Sequence, residues 1–319
     1  MEIKIRSKDG TGMLDAFAKQ VGSTVDNGRV EVPEKFGIGY MQGFNFAHRL
    51  RMIILHYQLK QDFAIVRRNQ SSDMLIFSLR NVISSSEISS GKSLPSVQIT
   101  TQGLNAEQFV PKNTFQNTVT LSIDAGYLRE LLGNQLNHPL VNTILQNSKP
   151  LLFEEFVFAP LLEVVEDIVT AKIPVILSDF YYRLKAQELI CQLLIGLVSR
   201  DEKKVSSLNV ADINMLYQVK ELLLQNFEDA PSIAELSAFS GMSQTKLKKL
   251  FSQVFGKSIY RYFQHARMQR AARLLKEGQL SVSEVGYKLG FSNLGHFSKV
   301  FEEVIGIKPK RYSMSEVDQ

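Results

Sequence analysis

The sequence predicts an α+β protein: a β-rich N-terminal part with following helices, then an all-α C-terminal part built as a double helix-turn-helix. Three observations carry this expectation. Up to Ile123 the chain reads as short runs rich in Val, Ile, Phe and Thr, separated by clusters of Gly, Asn, Ser and Pro. From Asp124 onward the apolar residues recur at helical spacing instead. Between Pro231 and Tyr312 one pattern of helix, turn and helix is written twice.

At 319 residues the chain is long for one domain, and two are expected. Its only cysteine, Cys191, permits no disulfide within the chain, which fits a reducing compartment. Met1-Glu-Ile-Lys-Ile-Arg holds no apolar leader core, and no run approaches the length of a membrane span. A cytoplasmic location without membrane contact is therefore expected. The net charge of +5 is modest, but its distribution is uneven. Ser243 to Lys276 contains no Asp or Glu, while it holds Lys246, Lys248, Lys249, Lys257, Arg261, Arg267, Arg270, Arg273 and Lys276. A basic block with apolar residues at helical spacing is a folded surface, and its partner is a polyanion.

Taken in order, strands are expected at Ile3 to Ile5, Gly28 to Val32, Gly37 to Phe46, Leu50 to Gln58, Phe63 to Arg67 and Met74 to Val82. Val97 to Thr101, Gln108 to Pro111 and Thr118 to Ile123 follow, with a short helix at Met13 to Gln20 and a Ser-rich loop at Ser84 to Ser96. Asp124 is placed to cap a helix through Leu132, and Pro139 to Gln146 and Phe158 to Ala171 read as helices. Val175 to Arg200 gives the longest helix, with Leu184, Ile190, Leu193, Leu194, Leu197 and Val198 on its apolar stripe. Its end is apolar nearly all round and is expected to be buried, against the β-rich part or another chain. Arg200 to Ser207 is short and charged and reads as a linker, after which a helix runs from Val210 to Asn226.

The doubled pattern carries the chemistry. Ser232 with Glu235, and Ser281 with Glu284, fit the capping box, in which hydroxyl and carboxylate satisfy free amides at a helix start. Gly241 and Gly290 stand where a turn needs positive φ. Ser243 and Ser292 are then expected as N-caps of the second helices. The offset between copies is 281 − 232 = 49 before the turn and 306 − 256 = 50 after it, which suggests one extra residue within the second helix of the second copy. Ile259 to Glu277 reads as one long connecting helix. If it holds both units on one face, their second helices reach successive major grooves about 34 Å apart.

Other residues invite sharper readings that the sequence does not favour. His48 and His56 lack the spacing of a metal site, so no metal and no cofactor is expected there. Gly37-Ile-Gly39 lacks the third glycine and the following helix of a dinucleotide loop. Cys191 lies in an apolar helix and reads as a buried, inert thiol. Arg267 sits on the packed connector and reads as an internal hydrogen-bond donor rather than a contact to a partner.

Many positions over both units resemble one family. Gly241 to Phe251, Phe255 to Tyr260, Arg267 with Ala271 and Leu274-Leu275, Gly290 to Phe301, Gly306 to Pro309 and Tyr312 together resemble the DNA-binding domain of the AraC/XylS transcription regulators. The resemblance covers about the last third of the chain. It implies a seven-helix domain that binds double-stranded DNA at promoter sites with two recognition helices. Carried over residue by residue, the DNA-facing positions are Ser243, Gln244, Thr245, Lys248 and Lys249 in the first copy. In the second they are Ser292, Asn293, Leu294, His296 and Lys299. Lys248 and Lys249 can donate to guanine O6 and N7, Thr245 can touch a thymine methyl, and the two serines sit where helix starts favour phosphate. Two departures stand out: Gly286, where the family commonly has alanine, and Gly295, which has no side chain to read a base.

The same resemblance implies an N-terminal effector-binding or dimerisation domain, a small-molecule effector, RNA polymerase as partner, a homodimer and a bacterial regulator, with activator and repressor both open. The β-rich start followed by helices loosely resembles the sensory halves of PchR-like regulators of iron-siderophore uptake. The expected division is 1–123 as the β-rich effector-binding domain, 124–200 as a helical dimerisation or connector segment, 201–207 as linker and 208–319 as the DNA-binding domain. The two helix-turn-helix units span 232–256 and 281–306. Two other functions compete. A DNA-repair alkyl-transferase needs an activated nucleophilic cysteine, which a leucine-rich helix does not supply, so no enzyme is expected. A ligand-binding adaptor with a degenerate DNA domain is opposed by the intact caps and basic face.

Overall fold

The computed structural model describes residues 2–5, 12–46, 49–67, 73–83, 95–101, 107–133, 138–146, 151–157, 159–198, 208 and 210–314. His48, most of the Ser-rich loop and the linker 201–207 lie outside the described residues. The chain divides into two compact units, Met1–Leu208 and Asn209–Gln319.

The first unit runs β1 (Glu2–Ile5), α1 (Met13–Val21), β2 (Arg29–Glu31), β3 (Gly37–Phe46), β4 (Leu50–Leu59), β5 (Phe63–Arg67), β6 (Met74–Arg80), β7 (Ser96–Thr100), β8 (Glu107–Val110) and β9 (Phe115–Asp124). There follow α2 (Ala125–Leu132), α3 (Pro139–Gln146), β10 (Leu152–Phe156), α4 (Ala159–Thr170) and α5 (Val175–Val198). A three-stranded sheet has the order β1-β5-β8, and a seven-stranded antiparallel sheet has the order β10-β7-β6-β9-β4-β3-β2.

Side-chain alternation aims the large sheet. Leu75, Phe77 and Leu79 on β6 pair with Ile123, Leu121 and Val119 on β9, and all six are buried. They share one core with Leu128, Ile144, Val165, Leu189 and Leu193 from α2 to α5. On β4, Met52 and Ile54 enter that core, while Leu55 and Tyr57 enter a second one with Phe17 and Val21 of α1.

Four expectations change here. The sequence predicts no strand between Gln146 and Phe158, yet β10 extends the sheet beside β7. Its adjacent Glu154 and Glu155 suppress the alternation that marks a strand, and the pairing to a distant β7 supplies what local propensity does not. The expected break after Ile123 therefore falls inside one unit, because strand β10 and helices α2 to α5 share its sheet and core. On α5, Ile190, Leu193, Leu194 and Leu197 are buried, but Leu184, Ile195 and Val198 are exposed. Cys191 is likewise exposed rather than buried, because it falls on the helix face of Leu184 and Ile195.

The second unit holds seven helices among the described residues: α6 (Val210–Gln225), α7 (Ile233–Ser240), α8 (Gln244–Phe255), α9 (Ile259–Lys276), α10 (Val282–Lys288), α11 (Leu294–Ile305) and α12 (Pro309–Met314). Helix α9 serves both copies. Tyr262 near its start packs on Phe251 and Phe255 of α8, with ring centroids 5.4 and 5.3 Å away. Met268 to Leu275 further along it join Val285, Phe297 and Phe301 of the second copy.

Candidate nucleic-acid interface

Both copies start as the sequence predicts. Ser232 accepts from the Glu235 amide while Glu235 accepts from the Ser232 amide, and Ser281 with Glu284 repeats the exchange. These hydrogen bonds hold the Glu235 and Glu284 carboxyls below the ordinary range. Gly241 and Gly290 take φ of 64° and 73° and end the first helix of each copy.

The second helices differ in one respect from expectation. Ser243 caps α8, accepting from the Lys246 amide at 3.3 Å. In the second copy the cap is Asn293, which accepts from the His296 amide at 3.0 Å; Ser292 lies one residue outside the helix. Helices α8 and α11 each have 12 residues. The extra residue of the second copy therefore lies in the turn, between Gly290 and Asn293, and not in the helix. A turn tolerates one added residue; a helix would rotate all that follows by about 100°. With the offset corrected to 50 along the whole helix, Lys249 and Lys299 occupy equivalent positions, as do Thr245 and Gly295.

Gln244, Thr245, Lys248 and Lys249 are all exposed on α8, beside Ser243. Lys246, on the same helix, is instead tied to Asp212 of α6 at 2.9 Å. On the second copy Ser292, Asn293, His296 and Lys299 are exposed, whereas Leu294 is half-buried. Its side chain explains Gly286: a Cβ there would stand 2.8 Å from Leu294 Cδ2 and 3.2 Å from Phe297 Cδ1. Glycine, a weaker helix former than alanine, lets α10 and α11 approach.

Arg267 has the internal role read from the sequence. It is 7 % exposed. Its Nε donates to the Leu289 carbonyl and its Nη2 to the Glu228 carbonyl at 3.2 Å, while its guanidinium lies 4.1 Å from the centroid of the Phe291 ring. One side chain thus pins the connector to the turn of the second copy. His56 is hydrogen-bonded through Nδ1 to Asn117 at 2.7 Å. Lys257 and Arg261, which the sequence marks only as part of the basic block, stand at the head of α9.

A family model described as a helix-turn-helix domain matches residues 236–315. Over 122 residues the chain is 32 % identical to a probable transcriptional regulator, LumQ, of Photobacterium leiognathi, covering 38 % of this chain and 47 % of that protein. Over 95 residues it is 34 % identical to the helix-turn-helix transcriptional regulator GbdR of Pseudomonas aeruginosa, covering 30 % of this chain and 26 % of that one. The chain thus spans less than half the length of these relatives. A crystal structure of a transcriptional regulator with an AraC-type DNA-binding domain, from Chromobacterium violaceum, aligns at 28 % identity and a TM-score of 0.31, covering 33 % of this chain and 94 % of that one. With its two capped copies and the match over 236–315, the C-terminal unit holds a helix-turn-helix domain.

Proposed function

We propose that this chain is a sequence-specific DNA-binding transcription regulator that reads two successive major grooves with α8 and α11. The observation that carries the reading is the pair of capped helices on one connector, each presenting exposed polar side chains from its first turns. Gln244, Thr245, Lys248 and Lys249 read bases in one groove, and His296 and Lys299 in the other, with Ser243, Ser292 and Asn293 beside phosphate at the helix starts. Leu294 contributes packing and an apolar contact at the groove edge. Gly295 stands where the first copy has Thr245, so the second groove is read with fewer side chains. Intact capping boxes and turn glycines in both copies speak against a degenerate domain.

The first unit supplies the signal in this reading: it binds a small-molecule effector, and it joins two copies through α5. The promoter complex then engages RNA polymerase in the cytoplasm. Among the described residues no helix is long and apolar enough to cross a membrane.

Selection of duplexes from a random-sequence library tests the core of the proposal. The expected product is a set of sites with two short conserved blocks about 10 base pairs apart. Recovery of unenriched sequence after several rounds would sink it. On the selected duplex, Lys248→Ala with Lys249→Ala is expected to weaken binding about 10- to 100-fold, the scale of one or two base contacts.

A further inference from the structure

The two reading helices flank a concavity. A cleft of about 710 Å³ is lined by Ser252 from the end of α8, by Lys257, Tyr260, Arg261 and His265 at the head of α9, and by Glu303 on α11. Ser252 lies one turn beyond Lys248 and Lys249, and Glu303 one turn beyond Lys299, so the cleft continues the exposed faces of both helices.

The shape of a duplex gives this cleft a purpose. Two successive major grooves on one side of DNA are separated by the minor groove and its two phosphate strands. A rigid unit with one helix in each groove must accommodate that ridge between the helices. Doing so calls for a hollow and for positive charge. The cleft has both. Arg261 is exposed and Lys257 half-exposed, and the wall they form carries no carboxylate, since Ser243 to Lys276 has none. Ser258 also lines the cleft and caps α9 through the Arg261 amide, so the positive end of an 18-residue helix opens there. Glu303 on the far wall repels phosphate and biases the strand toward α9.

We propose that this cleft seats the DNA backbone between the two reading helices, with Lys257 and Arg261 as its phosphate contacts; the proposal rests on the DNA-reading function above. Contacts to phosphate carry no sequence information. They set the register of the unit on the duplex and add affinity equally on every sequence.

The test compares the full chain with a Lys257→Gln, Arg261→Gln variant on a library-selected duplex and on a scrambled one, over a range of salt. The variant is expected to lose about tenfold or more in affinity on both duplexes, with their ratio unchanged. Its plot of log affinity against log salt should be shallower by about 2, near 0.9 for each phosphate that is no longer neutralised. Arg261→Lys, which keeps the charge, should keep most of the slope. The reader variant Lys248→Ala, Lys249→Ala should instead collapse the ratio between duplexes. An unchanged slope and affinity in the glutamine variant, with a circular-dichroism spectrum like the parent's, would overturn the backbone seat and leave the cleft to a small organic anion. A loss confined to the selected duplex would overturn it too, by making these residues base readers. If the parent binds neither duplex, the regulatory reading itself falls, and that outcome is read from the parent alone.

Discussion

Asn293 shows how much one residue decides. The cap sits one position later than the repeated serine suggests, and that shift moves every equivalence in the second reading helix. Asn293→Ala should cost about 1 kcal/mol, the usual worth of a side-chain cap. Ser292→Ala should stay within about 0.5 kcal/mol, as for an exposed position without such a role. Urea unfolding of the two variants distinguishes them, and equal losses would restore Ser292 as the cap. His265 yields a second prediction at this scale. Burial, with the nearby Lys257, pushes its pKa down to about 4 from 6.5. Between those values the unfolded chain binds a proton that the folded chain does not, so stability falls as pH falls through this window. The loss reaches about 3 kcal/mol at its acid end. His265→Gln should flatten the stability profile between pH 6.5 and 4; an unaltered slope would show that other groups set it.

At the scale of elements, the connector α9 and its Arg267 hold the two copies in one frame. Arg267→Ala removes the donor to the Leu289 and Glu228 carbonyls and leaves a hollow beside Phe291. A loss of about 3 kcal/mol is expected from a buried charged donor and its packing, seen as a lower melting temperature. Arg267→Lys should not restore it, because a lysine cannot supply the planar fork that meets both carbonyls and the ring. Full rescue by lysine would reduce Arg267 to a simple charge. What is legible from sequence follows the same division. Capping boxes, turn glycines and the start of α2 at Asp124 are local: each is decided by residues within a few positions. Arg267 is also legible, since an arginine amid Ala266, Met268 and Ala271 falls on a packed face. Strand β10 and the position of the extra turn residue are not. The first depends on pairing with β7, and the second on where a turn relaxes, and neither leaves a periodic trace.

For the whole molecule, the exposed face of α5 is where a second copy is expected to dock. Leu177, Phe180, Leu184, Cys191, Ile195 and Val198 recur at spacings of three, four and seven along this 24-residue helix, and all are exposed. Glu188 is the charged member of the face, and it is tied to Lys185 at 3.0 Å. From sequence this helix end reads as core or interface; Leu193, Leu194 and Leu197 turn inward to the core, and Ile195 and Val198 turn outward. Hydropathy alone does not separate the two faces when each is apolar. An apolar stripe of about three heptads is unfavourable in water, and a second copy offers the same stripe in return, which is the condition for a two-fold interface. Leu184→Glu with Ile195→Glu places charge in that seam while leaving the inward face untouched. In sedimentation the parent is expected as a dimer and the variant as a monomer, with the same melting behaviour at high dilution. The variant should also lose affinity for a duplex carrying two selected sites far more than for a duplex carrying one, because only a dimer binds both sites as one ligand. A parent that sediments as a monomer, or a variant that remains a dimer, would take the joining of copies away from α5.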